Sequence, residues 1–253
     1  MLGTMDLYEQ AADRLARGRY CLALTGAGIS AESGIPPFRG TSGLWTRYNP
    51  AEYATIEAFR RDPEKVWRML LEVDGIIRRA APNPAHFALA EMEQWDVIKA
   101  VVTQNIDGLH QRAGSRRVME YHGGARTLRC DACSLTLPRD DFPPDMTIPR
   151  CRCGQVMRPE LVFFGELIPP GVLDRAQAAA AKCDVLLVVG TSAAVAPASY
   201  LPLVAKENGA FVVEINPEAD NLPRGTVDLH IAERAATALP AIADIIKANL
   251  KHL

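Results

Sequence analysis

The chain has 253 residues, 48% of them hydrophobic and 23% charged, which is typical of a globular protein with a large core. Its formal net charge of -2 gives no general attraction to nucleic acid or to an anionic membrane. The opening MLGTMDLYEQAADRLARGRY mixes charges throughout, unlike a signal peptide, and no apolar run approaches the roughly 20 residues that span a bilayer. We therefore expect a cytoplasmic protein with no membrane partner and no direct nucleic-acid partner.

A helix over about residues 5–17 is the first predicted element. Four short apolar runs then predict strands that are buried on both faces, at Tyr20–Leu24, Val97–Val102, Asp184–Val189 and Phe211–Ile215. Helical stretches alternate with these strands, which indicates the α/β class, with a Rossmann-like parallel sheet and helices on both faces. Small or polar residues follow each strand, and open α/β sheets bind ligands at that edge. The sequence therefore predicts a ligand crevice at the carboxyl ends of the strands.

Two segments interrupt this alternation. Residues 36–84 contain no convincing strand and are predicted to form a cofactor loop followed by a helical insert. Residues 126–158 contain paired cysteines and a proline-rich run, and are predicted to form a zinc-binding insert. Together these segments are expected to build a smaller module inserted in a Rossmann-like domain that comprises residues 1–35, 85–125 and 159–253.

The cysteines divide into two kinds. Four have the spacing C-x2-C-x17-C-x-C, which is a strong signal for thiolate zinc: Cys130, Cys133, Cys151 and Cys153. Four thiolates complete a tetrahedral shell and leave no position for a catalytic water, so we predict one structural zinc ion per chain. His122, eight positions before the first of these cysteines, is then not a ligand. Cys21 and Cys183 lie in or beside predicted strands, as buried and inert thiols do.

A glycine-rich turn follows the first predicted strand. The dinucleotide fingerprint G-x-G-x-x-G/A is matched by GAGISA at residues 26–31, where glycines would let the backbone approach a pyrophosphate. A tight strand-to-helix turn without a ligand explains the same residues about as well. The helix that opens at Ser30 is expected to end at Gly34–Pro37, and no strand ending in an acidic residue follows to hold a ribose. The pattern is compatible with dinucleotide binding and argues against hydride transfer.

Six motifs occur along the chain in a single order: GAGISAESGIPPFRG at 26–40, TQNID at 103–107, YHG at 121–123, the paired cysteines, FFGE at 163–166 and GTS at 190–192. In these motifs the sequence resembles the sirtuins, NAD-dependent protein lysine deacylases, over about residues 10–250. Pro37 stands where many members have Asp or Thr, and Gly124 replaces a more usual small polar residue. The resemblance implies that NAD is a co-substrate and that acyl-lysine proteins or peptides are the partners.

The resemblance also assigns residues to the NAD site. The implied contacts are Gly26, Ala27, Gly28, Ser30, Phe38, Arg39, Gln104, Asn105, Ile106, Asp107, Gly190, Thr191, Ser192, Asn216, Pro217, Glu218 and, by its backbone, Ala235. In this assignment Asn105 orients the nicotinamide ribose and has a catalytic role, Asp107 accepts from the carboxamide, and Gln104 lies near the ribose hydroxyls. Phe38 and Arg39 belong to a loop that closes over the nicotinamide. A turn or a helix N-cap is the alternative for Asn105 and Asp107.

His122 follows a short apolar strand at 117–121 and precedes two glycines, so we expect it at a strand end that faces the crevice. A core or capping histidine is the alternative from the residues alone. The resemblance implies the general base, which suits an imidazole with an ordinary pKa of about 6.5. The other histidines, at positions 86, 110, 230 and 252, are expected to be structural or exposed.

Two segments are candidates for binding the substrate main chain as an added strand, although ordinary edge segments are the alternative. The resemblance assigns substrate contacts to Val162, Phe163, Gly165, Glu166 and Val195. The implied reaction transfers the acyl group from lysine to ADP-ribose and releases nicotinamide. Protein ADP-ribosylation at the same NAD site is the alternative reaction. A nucleic-acid-binding zinc module fits poorly, because the overall charge is near neutral and Asp140 and Asp141 lie inside the cysteine loop.

The acyl group is predicted from one helix. Family members that prefer succinyl-lysine or malonyl-lysine carry a Tyr-x-x-Arg pair in the helix after the cofactor loop, where a phenol and a cation meet the acyl carboxylate. Aligning Asp62–Trp67 with that region places Leu70 and Val73 at the two positions. A carboxylate buried against them would lack a partner, so we expect removal of acetyl and other neutral acyl groups.

Overall fold

The computed structural model describes residues 3–38, 43–143, 148–218 and 221–250. The strands in this part of the chain are β1 (Cys21–Thr25), β2 (Ile98–Thr103), β3 (Val118–Glu120), β4 (Gly123–Arg129), β5 (Thr136–Pro138), β6 (Arg158–Leu161), β7 (Val185–Val189), β8 (Phe211–Ile215) and β9 (Leu229–Ile231). The α-helices are α1 (Thr4–Arg17), α2 (Pro50–Tyr53), α3 (Ile56–Arg61), α4 (Pro63–Arg79), α5 (Pro84–Gln94), α6 (Leu109–Arg112), α7 (Pro170–Lys182), α8 (Leu201–Glu207) and α9 (Ala235–Leu250).

The main sheet has six parallel strands in the order β3-β2-β1-β7-β8-β9. Every residue of β1 and β7 is buried, because successive side chains enter two different cores. Cys21 and Ala23 pack on the face covered by α1, α5 and α9, whereas Leu22 and Leu24 pack on the face covered by α7 and α8. The predicted Rossmann-like sheet with helices on both faces is confirmed.

The strand order determines where a ligand can bind. β2 and β3 extend the sheet on one side of β1, and β7, β8 and β9 extend it on the other. Connections therefore leave the β1 region in opposite directions, which opens a crevice beyond the carboxyl ends of the central strands. The turns at Gly26 and Gly190 lie at this switch point, at the edge of the sheet where the sequence predicted a crevice.

A smaller module contains an antiparallel sheet with the strand order β5-β4-β6. Its core combines side chains of α3 and α4, such as Trp67, with Leu128 of β4 and with Met157 and Phe163. The indole Nε1 of Trp67 donates to the carbonyl oxygen of Met157 at 2.7 Å. The two predicted inserts thus share one core, while the exact domain boundaries stay a prediction.

Several local details differ from the sequence expectation. The helix expected to open at Ser30 is a 3-10 helix at Ala27–Ser33, which ends at Gly34 with a positive φ of 82°. The short strands of the small module and β9 were not predicted, because runs of three to seven residues lack a distinctive apolar period.

Burial raises the pKa of both Cys21 and Cys183 to about 12, as expected of inert thiols. Among the described helices, none combines the length and apolar character needed to cross a bilayer.

Candidate active site

The carboxyl ends of β1 and β7 approach each other without intervening side chains. The amide of Gly26 donates to Val189 O at 3.0 Å, and the amide of Gly28 donates to Gly190 O at 2.8 Å. A Cβ on Gly28 would lie 2.7 Å from the Cα of Gly190, closer than such atoms are found. Only glycine fits there, and Gly190 also has a positive φ of 57°. The glycine pattern is thus required for packing within the protein, whether or not a pyrophosphate binds.

A buried polar network lies beneath this turn. Ser30 Oγ donates to Asp107 Oδ2 at 2.7 Å and accepts from Asn105 Nδ2 at 3.2 Å. The same Asn105 nitrogen lies 3.0 Å from the carbonyl oxygen of Gly26. The Oδ1 atom of Asn105 accepts no hydrogen bond from a described residue, so it remains for a ligand. The network therefore fixes the orientation of the Asn105 amide and leaves an acceptor over the crevice.

His86 completes the network from α5. Its ring is fully buried, with Nδ1 accepting from the Asn83 amide at 3.3 Å and Nε2 lying 3.5 Å from Ser30 Oγ. Because Nδ1 accepts, Nε2 carries the proton and points it at the serine. Burial lowers the pKa of His86 to about 4, with the Asp107 carboxylate opposing that shift, so the ring is neutral.

A second set of contacts joins the ends of β2, β7 and β8. Gln104 Nε2 donates to Thr191 Oγ1 at 2.8 Å, and Asn216 Nδ2 donates to the Thr191 carbonyl at 3.1 Å. His230 Nε2 lies 3.0 Å from the carbonyl oxygen of Asn216. Gln104, Thr191 and Asn216, which the sequence assigned to the NAD site, are therefore held together by hydrogen bonds.

His122 lies in the turn between β3 and β4 and is half-buried. Its Nδ1 is 3.0 Å from the carbonyl oxygen of Gln104. A carbonyl oxygen only accepts, so Nδ1 is the protonated nitrogen in this contact and Nε2 keeps its lone pair. Burial lowers the pKa of His122 below its ordinary value, against the opposing effect of the Gln104 carbonyl. His122 is therefore neutral at pH 7, in the tautomer that a general base requires.

The next glycine fixes this turn. Gly123 has a positive φ of 70°, and a Cβ there would lie 2.0 Å from the carbonyl oxygen of Glu160 on β6. The amide of Val162 donates to the His122 carbonyl at 2.9 Å. The candidate base and the start of the candidate substrate segment are thus joined through their backbones.

The remaining predicted NAD contacts lie around the crevice in different ways. Phe38 stacks on Trp45 with ring centroids 5.3 Å apart, and Trp45 lies 6.4 Å from Phe164. Arg39 lies outside the described residues. Ala235 is the first residue of α9. The amide of the next residue, Ala236, donates to Glu32 Oε2 of the 3-10 helix at 3.0 Å. Five others are Ala27 in the 3-10 helix, half-buried Ile106 after β2, exposed Ser192 after β7, and Pro217 and Glu218 after Asn216.

The predicted substrate contacts are of two kinds. Phe163 has only 3% of its surface exposed and packs against Phe59, so it can contact a substrate only through its main chain. Val162 and Val195 are half-buried. The amides of Phe163, Phe164 and Glu166 already donate to Glu166 Oε2, Ala54 O and Phe163 O. Among described residues of the 163–166 segment, the Gly165 amide is the one left without an acceptor.

The four predicted zinc cysteines form a cluster in the small module. Their sulfur atoms all lie within 4.8 Å of one another, with Cys130 to Cys153 and Cys133 to Cys151 at 3.5 Å. Tetrahedral zinc with Zn–S bonds of about 2.3 Å separates sulfur atoms by about 3.8 Å, so the cluster fits the ion. The backbone amide of Cys133 is the largest of the influences that lower the pKa of Cys130 to about 7. The predicted four-cysteine set is confirmed, and His122 is not among its members.

Two buried histidines were not identified as site residues from the sequence. His86 contacts Ser30 as described, and His110 Nε2 lies 2.9 Å from Thr25 Oγ1 under the glycine turn. Their ring centroids are 5.0 Å apart. Both rings reach the crevice across more than 50 residues of chain, so no local pattern could have predicted the contacts.

Comparison with known proteins agrees with this geometry. The family model described as Sir2 family matches residues 26–197. The chain belongs to the Sir2 family, the sirtuins. It is 49% identical over 241 residues to NAD-dependent protein deacylase 2 of Pyrobaculum aerophilum, covering 95% of this chain and 96% of that one. The resemblance noted in the motifs is thereby confirmed.

Two solved structures resemble this sirtuin closely. A Sir2 homologue in complex with NAD is 43% identical, with a TM-score of 0.88, covering 96% of this chain and 94% of that chain. Sir2Af2 bound to a myristoylated histone peptide is 38% identical, with a TM-score of 0.84, covering 98% and 99%. Both likenesses extend over the sheet and the small module together.

The cysteine cluster predicts a metal-dependent fold. Elemental analysis should find one zinc ion per chain, and Cys151→Ser should lower both the zinc content and the melting temperature, because metal binding is coupled to folding of the small module. Cys183→Ala removes a buried thiol outside the cluster and should keep the zinc. A fully folded, metal-free wild-type protein would contradict the zinc assignment.

The two buried histidines predict how stability depends on pH. Burial lowers the folded-state pKa to about 4 for His86 and, with a smaller effect of His86, to about 3 for His110. The unfolded chain has a histidine pKa of about 6.5 and binds these protons first, so the free energy of unfolding should fall as pH drops below about 6.5. By pH 5 each ring should cost about 2 kcal/mol. Urea unfolding at several pH values measures this, and His110→Gln should show a shallower decline; a flat wild-type profile would contradict it.

Proposed function

We propose that this sirtuin is an NAD-dependent protein lysine deacylase that removes acetyl and other neutral acyl groups and yields nicotinamide and O-acyl-ADP-ribose. The observation that carries the proposal is the fixed tautomer of His122, whose Nδ1 is bound to the Gln104 carbonyl in the crevice where the Asn105 acceptor lies. The deacylase name of the Pyrobaculum relative and the NAD complex of the Sir2 homologue support it. The cytoplasmic location expected from the sequence stays a prediction.

His122 is the general base in this proposal. Its neutral Nε2 would accept the proton of a ribose hydroxyl of bound NAD once the acyl oxygen has displaced nicotinamide, which would make that hydroxyl oxygen nucleophilic toward the acyl carbon. The Gln104 carbonyl stabilises the imidazolium that results, because it accepts from Nδ1 throughout. Asn105 has the second catalytic role, since its amide is held by Gly26 and Ser30 and directs Oδ1 to the nicotinamide ribose. Positioning and exclusion of water supply the rest of the rate enhancement.

The NAD contacts follow from the strand ends. The glycine turn and the 3-10 helix would receive the phosphates, Gln104 would contact ribose hydroxyls, and Asp107 would accept from the carboxamide. Phe38 and Arg39 would cover the nicotinamide, and Ala235 would contact the adenosine side through its backbone. The remaining contacts are Ala27, Ile106, Gly190, Thr191, Ser192, Asn216, Pro217 and Glu218.

The substrate is an acyl-lysine protein or peptide bound by its main chain. The segments that contain Gly165 and Val195 would flank it, and the Gly165 amide is available to a substrate carbonyl. Main-chain recognition reads few side chains, so many target sequences would be accepted. The myristoylated histone peptide bound to Sir2Af2 supports this substrate class.

The acyl preference rests on the inner face of α4. Leu70 and Val73 are each 8% exposed, and Leu70 packs in the small-module core with Phe163. Arg68 and Arg78 are two of the cations on this helix that could have received a carboxylate. Arg68 is exposed on another face, and Arg78 is paired with Asp74 at 3.0 Å and Asp140 at 2.9 Å. Leu70 and Val73 thus form an apolar surface, while Arg68 lies on another face and Arg78 already has partners. A surface of this kind favours neutral acyl groups over charged ones.

Mass spectrometry of products tests the function. Incubation of an acetyl-lysine peptide with NAD should yield free lysine peptide, nicotinamide and O-acetyl-ADP-ribose, with no turnover when NAD is omitted. His122→Ala should lower the rate by about 10²–10⁴-fold while NAD binding is kept, as removal of a general base does. A peptide gaining the mass of ADP-ribose would instead favour the ADP-ribosyltransferase alternative, and near-normal turnover by His122→Ala would remove His122 from the mechanism.

A peptide panel tests the acyl preference. Acetyl, propionyl and butyryl groups should be removed efficiently, since each buried methylene contributes about 0.8 kcal/mol against an apolar wall. Succinyl should be removed poorly, and Leu70→Tyr with Val73→Arg should improve succinyl removal relative to acetyl. The matched control Arg68→Ala should leave the ratio unchanged, because that side chain is exposed. A wild-type preference for succinyl would show that another pocket holds the acyl group.

A further inference from the structure

Arg158 is a nearly buried cation in the small module whose role follows from its contacts. It lies on β6 with 4% of its surface exposed. Its Nη1 and Nη2 each lie 2.6 Å from a different oxygen of Glu166, which is a two-pronged ion pair. Nη2 also donates to the Leu161 carbonyl at 2.9 Å, and the guanidinium lies 4.9 Å from the ring centre of Phe163. These contacts reach both ends of the segment Phe163–Glu166.

Glu166 transmits this contact to the backbone. Its Oε2 accepts from the Phe163 amide at 3.0 Å, while the Glu166 amide donates to the Phe163 carbonyl at 3.0 Å. Burial raises the pKa of Glu166, but the hydrogen bonds from Arg158 and from the Phe163 amide outweigh burial and bring the pKa below its ordinary value. Glu166 is therefore charged, and it closes the segment into a turn with Gly165 at its tip and a φ of 88°.

The pair is too enclosed to be an ordinary surface salt bridge. The side chain of Arg158 is 5% exposed and that of Glu166 is 22% exposed, so both charges lose much of their hydration. Removing that hydration offsets most of the attraction, and an ion pair of this kind adds little net stability. What it does provide is a single geometry, because the planar guanidinium fits the carboxylate in one orientation.

We propose that Arg158 is a positioning residue for the deacylation reaction, which holds the Phe163–Glu166 turn so that the Gly165 amide faces the substrate main chain. This inference rests on the proposed function. Arg158 itself touches no substrate, and its influence passes through the carboxylate of Glu166 and the ring of Phe163. Loss of Arg158 frees the turn and weakens peptide binding, while the NAD site at the ends of β1, β2 and β7 keeps its contacts.

Steady-state kinetics of Arg158→Met test the proposal. The KM for an acetyl-lysine peptide should rise by at least about tenfold, since a displacement of about 1 Å can cost up to about 100-fold. The KM for NAD should change by less than about twofold. Arg158→Lys keeps the charge without the two-pronged contact and should be intermediate. Hydrogen exchange of the Phe163 amide should be faster in both variants.

Two further variants keep the test decisive. Glu166→Gln preserves shape and should raise the peptide KM as Arg158→Met does, with no further rise when the two are combined. Arg17→Met removes the same type of side chain from an exposed pair with Asp13 and should leave every parameter unchanged.

Each outcome has one meaning. An unchanged peptide KM in folded Arg158→Met, or equal losses for peptide and NAD, would overturn the positioning role while leaving the deacylase intact. If neither the Arg158 nor the Glu166 variants fold, the pair is a general stability element and the inference is wrong. A wild-type protein without NAD-dependent deacylation would refute the proposed function itself, and the inference with it.

Discussion

The direct backbone contact between the turns after β1 and β7 is the constraint on which the crevice depends. With Gly28 against Gly190, no Cβ separates the two strand ends, and their amides and carbonyls pair directly. This approach places Ser30 beneath the crevice and Thr191 beside Gln104. An alanine at either glycine would have to push the central strands of the sheet apart, and every contact built on their ends would move with them.

Beneath that contact, a set of polar side chains can be buried because each one forms a hydrogen bond with another member of the set. Asp107 accepts from Ser30, Ser30 accepts from Asn105, and the neutral ring of His86 completes the set. In a site shielded from water, an unpaired member of such a network costs far more than a single hydrogen bond contributes. The hydrogen bonds to Gly26 and Ser30 also keep the Asn105 amide in one orientation before any ligand binds. The side chain therefore needs little reorientation during a reaction.

The sequence predicted the features that depend on local pattern. Apolar runs predicted five of the six strands of the main sheet, although not their order across it. Cysteine spacing predicted the zinc cluster, and the count of thiolates separated His122 from the metal. Contacts between distant residues left no such pattern. His110 meets Thr25 across 85 positions, and Trp67 meets Met157 across 90, so neither the buried histidines nor the shared core of the two inserts could be predicted. The Arg158–Glu166 pair is closer in sequence, yet its meaning depends on the burial that only the fold supplies.

The zinc cluster and His122, the proposed general base, are separate sites that lie at opposite ends of the same two strands. β4 starts at Gly123, beside His122, and runs to Arg129, next to the first zinc cysteine; β6 pairs with it from Arg158 to Leu161. At the crevice end, Val162 bonds the His122 carbonyl, and at the other end the thiolates hold the two strands together. A closed thiolate shell offers no position for water, so zinc can act on the reaction only through this geometry. It fixes one end of a pair of strands whose other end carries His122, the proposed base, and leads into the proposed substrate segment.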